Sequence, residues 1–297
     1  MVKSKSMYAV WLSVILLFVL AAGCAKTDGP QTASAPGNDQ DALKVAKGDG
    51  PLQRIKSKGK LVVGVKTDYN PFGYIDEKGN NVGFEIEMAK ALAQDLLEDA
   101  NKIEFVSVTG TNRISYLQSG KIDLILATMS ITEERAKEVD FSEPYFKSGV
   151  QLLVKADSTI QDVADLKGKK VIVVPGSTGD LGIAKQVPDA ELVKLQKTSE
   201  SVQALKDGRA DAFAQDNTLL YPLAGSNPEF KVVGKPFAEL PWAIAVRKGE
   251  SELVDWINAN LKKWEDQDYF YELSEQWIAP NMPKEFNPSD FLRRPKK

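Results

Sequence analysis

The stretch DLILATMSITEERAKEVDFSEPY joins an apolar run to a hydroxyl-bearing turn and a charged segment. Thr128 ends the apolar run, and Ser130 and Arg135 follow shortly afterwards. Ser130 and Glu133 have the spacing of a capping box, and a helix that begins near Thr132 contains Arg135 in its first turn. The helix dipole disfavours a cation there by about 0.3–1 kcal/mol. An arginine at this position therefore suggests that it meets an anion.

A carboxylate is the anion that this chemistry suits best. Free backbone N–H groups, a serine or threonine hydroxyl and a forked guanidinium can together bind its two oxygens. The alternative is that Arg135 pairs with Glu134 or Glu138 on a solvated helix face. The stretch alone does not decide between these two interpretations.

The composition excludes several classes of function. The 297 residues contain no histidine, which removes Ser/His/Asp and Cys/His catalytic arrangements and every histidine-containing metal site. One cysteine cannot form an intramolecular disulfide or a thiolate cluster, so no metal or other cofactor is expected. A net charge of −3, with 38 basic and 41 acidic residues mixed along the chain, argues against a nucleic-acid partner.

The elements that must position these side chains alternate between strand-like and helix-like runs. Predicted strands include KLVVGVK (60–66), IEFVSV (103–108), DLILAT (123–128) and WAIAVRKG (242–249). Predicted helices include 84–97, a short stretch over 113–118, and 252–276. This alternation indicates βαβ units and mostly parallel sheets. Ligands bind at the carboxyl ends of such strands, and Thr128 lies at one of them.

The N-terminal segment has the layout of an export signal. Two lysines precede an apolar run over 8–22, which is shorter than the roughly 20 residues of a membrane span. The run stops at LAAGC, which resembles a lipobox, so we expect residues 1–23 to be a signal peptide and Cys24 to be lipidated. The polar segment 24–50 is expected to be a flexible tether. An uncleaved anchor helix is the alternative.

Several separated motifs carry a resemblance over the span from about residue 58 to 278. They are LVVGVKTDYNPFGY, GFEIEMAKALA, YLQSGKIDLILATMSITEERAKEVDFSEPY, LKGKKVIVVPGST, GRADAFAQD and AIAVRKG. Together and in this order they resemble the polar amino-acid solute-binding proteins of ABC importers. The resemblance implies an α/β, two-lobed periplasmic-binding-protein type II fold with two crossover hinge strands. Lobe 1 would comprise residues 51–145 and 236–297, and lobe 2 residues 146–235.

The resemblance also implies a role for each candidate residue. It assigns Arg135 to the α-carboxylate of an amino acid, with Ser130 and Thr178 of PGSTGD as further donors. Asp216, which ends ADAFAQD, would accept from the α-ammonium together with Thr128. A zwitterion withdrawn from water needs a full charge opposite each of its own charges, and these residues supply both. The alternatives are a helix N-cap role for Asp216 and a turn role for Thr178.

Aromatic residues near the predicted site are assigned by the same resemblance. Tyr69 occupies the place where the family stacks a ring against the aliphatic part of the ligand, although ordinary wall packing is an equal alternative. Phe72 and Trp242 are expected to pack and not to contact the ligand.

Two basic residues favour an acidic ligand. Lys66 directly follows the strand LVVGV, and Arg113 lies in GTNRISYL, both beside the expected cleft. Their placement resembles the aspartate- and glutamate-binding members of the family, where basic residues reach a side-chain carboxylate. Asp68, two residues after Lys66, departs from that pattern. Solvated surface roles for both cations are the alternative.

The sequence thus predicts a lipid-anchored receptor in the cell envelope, in the periplasm or on the outer face of the cytoplasmic membrane. It would capture glutamate or aspartate by lobe closure and present it to an ABC transporter permease, with glutamine as the closest competitor. No enzyme activity is expected. The alternatives are a cyclohexadienyl dehydratase on the same scaffold and the sensory module of a receptor, which would need further domains.

Overall fold

The structure is a computed structural model that describes residues 50–283 and 291–293. The predicted signal peptide, Cys24 and all but the last residue of the predicted tether lie outside the described residues, so these three assignments stay predictions. No helix within the described ranges is long and apolar enough to cross a membrane.

The described chain alternates between strands and helices, as the periodicity predicts. The helices are α1 (Pro51–Lys58), α2 (Phe84–Leu97), α3 (Arg113–Gln118), α4 (Glu133–Glu138), α5 (Thr178–Gln186), α6 (Thr198–Lys206), α7 (Asn217–Ser226), α8 (Ser251–Asp266) and α9 (Tyr269–Leu273). The strands are β1 (Leu61–Val65), β2 (Asp68–Tyr69), β3 (Gly73–Ile75), β4 (Asn81–Val82), β5 (Ile103–Ser107), β6 (Leu124–Leu126), β7 (Val139–Phe141), β8 (Phe146–Lys155), β9 (Lys170–Val173), β10 (Glu191–Lys194), β11 (Ala212–Asp216), β12 (Phe230–Val233), β13 (Glu239–Trp242) and β14 (Ala245–Arg247). Short 3₁₀ and π turns complete it.

The first sheet has the strand order β5-β1-β6-β14-β7. β1 is buried along its whole length because both faces of the sheet are covered. Leu61, Val63 and Val65 pack into a core shared with α2 and α8 on one face. Val62 joins a second core, shared with α3, on the other face. The uniformly apolar sequence of this strand follows from burial on both sides.

The second sheet has the order β10-β9-β11-β8-β12, and β13 also pairs with β8. It repeats the construction of the first sheet. Val171 and Val173 pack with α5 on one face, whereas Ile172 packs with α6 and α7 on the other. Each sheet therefore has its own core.

Both sheets are mixed, whereas the sequence pattern indicated mostly parallel ones. β1 runs parallel to β5 and β6, and β9 runs parallel to β10 and β11. The antiparallel pairs are those of β14 with β6 and β7 and of β8 with β11, β12 and β13. β8 follows β7 of the first sheet, and β14 follows β13, which pairs with the second sheet, each after a few residues. Neither has the long crossover that a parallel neighbour needs.

Two short connections join the sheets, over residues 142–145 and 243–244. The strands beside them, β8 and β13, pair antiparallel with Phe146 opposite Trp242. This arrangement provides the two crossover strands that the resemblance implies.

The last long helix differs from its prediction. The periodic run over 252–276 is broken after α8, where Asp268 adopts a left-handed φ of 56°. The apolar face predicted from helical spacing is nevertheless buried, with Leu253, Ile257 and Leu261 in the first core. Hydrophobic periodicity thus indicates the buried face better than it indicates where a helix ends.

Candidate functional site

Two walls face each other across a cavity of about 40 Å³. The first wall comes from the segments that follow β1, β5 and β6, and its residues are Lys66, Asp68, Tyr69, Gly110, Arg113 and Thr128. The second wall comes from the segments that follow β9 and β10 and from the end of β11, and its residues are Val174, Ser177, Thr178, Gln196, Thr198, Gln215 and Asp216. Six of the eight predicted binding residues therefore line one cavity. The remaining two lie next to it: Ser130 bonds to Thr178 of the second wall, and Arg135 bonds to Gly176, directly before Ser177 of that wall.

Arg135 turns back from the start of α4 towards the second wall. The N-cap of this helix is Thr132, whose hydroxyl accepts from the Arg135 N–H, so the expected capping box from Ser130 is wrong. The guanidinium donates from Nη1 to the Ser130 carbonyl at 2.6 Å and from Nη2 to the Gly176 carbonyl at 3.0 Å.

Arg135 is only 7% exposed, which excludes the solvated surface role left open by the sequence. Burial lowers the pKa of this guanidinium, and the charge of Asp216 opposes the shift. A buried cation that bonds to carbonyls, with further N–H groups on the same fork, is suited to an anion.

Ser130 and Thr178 meet directly across the two walls. Their hydroxyl oxygens lie 3.0 Å apart, and both side chains are buried. Thr178 is the first residue of α5, whose N-cap is Ser177. The two hydroxyls predicted as carboxylate donors are thus brought together beside a helix N-terminus.

Asp216 is the negative pole of the site. It ends β11 and stands at the N-cap position of α7, but its side chain makes no cap hydrogen bond. It accepts instead from the Tyr69 hydroxyl at 3.1 Å, across the two walls. Burial raises the pKa of Asp216 to about 6, although Tyr69, Arg135 and Arg113 lower it. A partly exposed N-cap aspartate would not behave in this way, so the cap alternative does not describe this residue.

Arg113 is buried at the start of α3 and is 5% exposed. Its Nη1 donates to the Ala127 carbonyl at 3.0 Å, and its buried Nε has no partner within the described residues. Burial, followed by repulsion from Arg135, lowers the pKa of Arg113 to about 9. The surface role left open by the sequence is therefore wrong for Arg113.

Lys66 forms an ion pair with Asp68, with 2.9 Å between Nζ and Oδ1. The other carboxylate oxygen of Asp68 accepts from the backbone N–H and the hydroxyl of Thr198, both at 3.3 Å. Although burial raises the pKa of Asp68, Lys66 and Thr198 bring it below its usual value. The carboxylate thus joins a cation of the first wall to the first turn of α6 in the second wall.

The same two residues separate two spaces. Asp68 and Thr198 also line a larger groove of about 1430 Å³ that runs beside β8, α7 and β13. Their hydrogen bonds therefore form part of the partition between the small cavity and this groove.

Two glycines allow the walls to approach at backbone distance. A Cβ on Gly110 would lie 2.6 Å from the Pro175 carbonyl oxygen, and one on Gly176 would lie 2.9 Å from the Gly110 backbone. Gly176 also has a left-handed φ of 72°, which favours glycine. A side chain at either position would hold the walls apart.

The aromatic residues form a cluster behind the first wall. The ring centroids of Phe72 and Trp242 lie 5.0 Å apart, and both side chains are fully buried, which confirms their expected packing role. The Tyr69 ring packs edge-on against both rings while its hydroxyl reaches the cavity. The Tyr69 ring therefore has the packing role, and its stacking against a ligand stays a prediction.

Sequence reasoning gave no binding role to Asp68, Gly110, Gln196 or Thr198. Asp68 had a usable signal, because residues two apart in an extended segment project to the same side, which brings it beside Lys66. The other three depend on how the two sheets meet. Within the described residues no cluster of acidic or thiol side chains could hold a metal ion.

Comparison with known proteins gives one family over most of the chain. The family model for bacterial extracellular solute-binding proteins, family 3, matches residues 61–280. The ABC transporter glutamine-binding protein GlnH of Bacillus subtilis is 41% identical over 276 residues, which cover 92% of this chain and 97% of that protein. The glutamine-binding protein of Geobacillus stearothermophilus is 41% identical over 255 residues, or 83% and 95% of the two chains.

Solved structures agree with these relatives. The cysteine-binding protein of Campylobacter jejuni superposes with a TM-score of 0.80 at 35% identity, covering 82% of this chain and 99% of its own. This likeness confirms the two-lobed α/β fold. The two relatives are named for glutamine, whereas the sequence analysis favoured the aspartate- and glutamate-binding members.

Proposed function

We propose that this chain, which belongs to the family 3 bacterial extracellular solute-binding proteins, captures glutamine and presents it to an ABC importer. Its general role as an amino-acid-binding protein of an ABC transporter follows from the family and from the identity to its relatives. The choice of glutamine is the proposal.

The observation that carries this choice is the Lys66–Asp68 ion pair at the cavity. A side-chain amide both donates and accepts hydrogen bonds, so it can meet Lys66 with its oxygen and Asp68 with its NH₂ group. A side-chain carboxylate would also meet Lys66, but it would face the negative charge of Asp68 in a desolvated place. The pair therefore favours a neutral side chain over an acidic one.

Lys66 and Arg113 are not two free cations for an acidic ligand. Asp68 compensates the charge of Lys66, and Arg113 already donates to the Ala127 carbonyl. The uncompensated charge that favoured a side-chain carboxylate is therefore reduced. The names of the two relatives support the same ligand.

The backbone of the amino acid would be held by the opposite charges of the two walls. Arg135, with the hydroxyls of Ser130 and Thr178, would bind the α-carboxylate. Asp216, with Thr128, would accept from the α-ammonium, and Tyr69 would cover the aliphatic part. Tyr69 bonds to Asp216 and Ser130 to Thr178 from one side of the cavity to the other, so the walls would separate for the ligand to enter and close over it afterwards.

The remaining parts of the proposal concern the lobes and the membrane. The division into a lobe 1 of residues 51–145 and 236–297 and a lobe 2 of residues 146–235 is part of the proposal. The sheet membership of β1, β5 to β7 and β14 and that of β8 to β12 agree with it, whereas β13 pairs with β8 of the second sheet. Attachment to the envelope through a lipid on Cys24 rests on the sequence pattern alone.

A thermal-shift screen of the twenty amino acids, followed by calorimetry, tests the ligand. Glutamine is expected to raise the melting temperature most, because a ligand that binds only the folded state stabilises it. Asp68→Asn, which removes the negative charge but keeps the size of the side chain, should shift preference towards glutamate by about tenfold or more. A wild type that prefers glutamate, aspartate, cysteine or arginine would contradict the proposal. Asp157→Ala, at an exposed position, is the control.

A further inference from the structure

Glu85 is a fully buried carboxyl that does not line the cavity. It is the second residue of α2, and its Oε1 accepts from the Thr128 backbone N–H at 2.8 Å and from the Tyr145 hydroxyl. Its Oε2 has no partner within the described residues. A carboxyl kept in such a place usually serves the groups that it does bind.

The peptide between Ala127 and Thr128 is held from both sides. Its carbonyl accepts from Arg113 at 3.0 Å, and its N–H donates to Glu85 at 2.8 Å. The two side chains come from different helices, α3 and α2. Together they fix the plane of this one peptide, and we call the pair the peptide clamp.

Thr128 needs such a clamp because its backbone conformation is unfavourable. Its φ is 45°, in the left-handed region that a β-branched residue rarely adopts. Strained backbone of this kind persists where the surroundings fix it, and it is common at functional sites. Without an acceptor for its N–H, Thr128 would relax towards an ordinary backbone conformation. Its side chain would then move, and so would Ser130, two residues further along.

Tyr145 connects the clamp to the segment between the sheets. It lies between β7 and β8, and its N–H donates to the Trp242 carbonyl at 3.0 Å. Glu85 therefore contacts both the loop that carries Thr128 and the connection that joins the two lobes.

We infer that Glu85 is a positioning residue for ligand binding, which with Arg113 clamps the Ala127–Thr128 peptide and so places Thr128 and Ser130 in the cleft. The inference rests on the proposed binding site but not on glutamine as the ligand. It gives Arg113 a role in shaping the first wall instead of the role in reading a side-chain charge that its position first suggested.

The electrostatics of Glu85 agree with a role as an acceptor. Burial raises the pKa of Glu85 to about 7, although Tyr145, Thr128, Lys66 and Arg113 all lower it. Both hydrogen bonds of the clamp carboxyl need only an acceptor oxygen, which the neutral form also provides. A neutral amide oxygen at the same place should therefore serve as well.

The test compares Glu85→Met, which removes the acceptor, with Glu85→Gln, which keeps it. Binding is measured by calorimetry, well below the lowest melting temperature, with whichever amino acid stabilises the wild type most. Glu85→Met should bind about tenfold or more weakly, and Glu85→Gln should stay within about threefold of the wild type. The matched control is Glu87→Met. Glu87 lies two residues further along α2, and its half-buried side chain pairs with Lys90.

A purely structural role would lower the melting temperature of Glu85→Met and leave its affinity at the wild-type value, which would overturn the inference. A Glu85→Gln variant as weak as Glu85→Met would do the same. If Glu85→Met does not fold, Glu85→Asp replaces it, because the shorter side chain keeps the charge but cannot reach the Thr128 N–H. Wild-type affinity in Glu85→Asp would then contradict the clamp. A wild type that binds another amino acid in place of glutamine overturns only the ligand proposal.

Discussion

The two walls of the cleft provide charge in different ways. The first wall and its immediate support carry cationic side chains, Lys66, Arg113 and Arg135, of which both arginines are buried. The second wall meets them with the beginnings of three helices, since Thr178 starts α5, Thr198 starts α6 and Asp216 precedes α7. Side-chain cations must be desolvated and held by partners, whereas helix N-termini present fixed N–H dipoles as part of the fold.

This difference explains why the hydrogen bonds to backbone carbonyls and the ion pair in the cleft involve mainly the cationic side chains of the first wall. Arg135 and Arg113 donate to backbone carbonyls, and Lys66 is paired with Asp68. The second wall needs less support because its donors are already oriented. Changes to the charged side chains of either wall should therefore act through charge, and changes to the glycines and helix starts should act through geometry.

The largest expected effect is the loss of either pole. Arg135→Ala and Asp216→Ala should each weaken amino-acid binding by about 100- to 1000-fold or more, because the opposite charge of the ligand would be buried without a partner. Calorimetry measures the affinity, and circular dichroism verifies the fold. Arg209→Ala and Asp157→Ala, at exposed positions, should bind as the wild type does. Wild-type affinity in either pole variant would remove the charge assignment.

A pH titration measures how much the burial of Glu85, behind the first wall, lowers the free energy of unfolding. The folded state raises the pKa of Glu85 to about 7, whereas the unfolded chain releases this proton near 4.5. Between these values the native state binds more protons, so the free energy of unfolding should fall as pH rises. Relative to Glu85→Gln, the wild type should lose up to about 3 kcal/mol over this range in denaturant titrations. A constant difference between the two proteins would contradict the raised pKa.

Gly110→Ala tests whether backbone approach of the walls limits closure. The added methyl would meet the Pro175 carbonyl oxygen at 2.6 Å, so the walls must stay further apart. Affinity should fall by about tenfold or more, with the melting temperature of the ligand-free protein little changed. Gly225→Ala, where a Cβ meets nothing within 4 Å, is the matched control. Equal affinity in both variants would show that closure tolerates the extra atom.

Thr198 allows a graded test of the contact between Asp68 and α6. Thr198→Val removes the hydrogen bond of the hydroxyl, and Thr198→Pro removes that of the backbone N–H as well. Proline is tolerated here because Thr198 is the first residue of α6 and the preceding Lys197 is extended. Ligand release, followed by stopped flow, should accelerate about threefold in the first and about tenfold in the second. The effect should be similar for every amino acid bound. Ser199→Ala, in the same turn, should release at the wild-type rate.

Local pattern was enough to predict most of the elements and the residues at the ends of the strands. The strands around β1 and β6, the apolar face of α2 and the position of Thr128 at a strand end follow from periodicity, whereas the places of Thr178 and Asp216 at the cavity follow from the family resemblance. These features depend on residues that are close along the chain.

Contacts between distant segments could not be predicted in this way. The sequence places Asp68 within reach of Lys66, but the bonds of that carboxylate to Thr198 depend on how two sheets approach each other. Glu85 read only as one residue of an amphipathic helix, because its partners Thr128 and Tyr145 lie 43 and 60 residues away. The acidic-ligand prediction counted charges along the chain without these partners.

On the proposed binding mode, the shared carboxylate of Asp68 would couple ligand selectivity to ligand release. One of its oxygens holds the lysine that would discriminate between ligand side chains, and the other bridges to the opposite lobe. A substitution there would alter the preferred nutrient and the residence time of that nutrient together. A receptor whose ligand preference changed through this position would therefore also change the rate at which it releases the ligand to the permease.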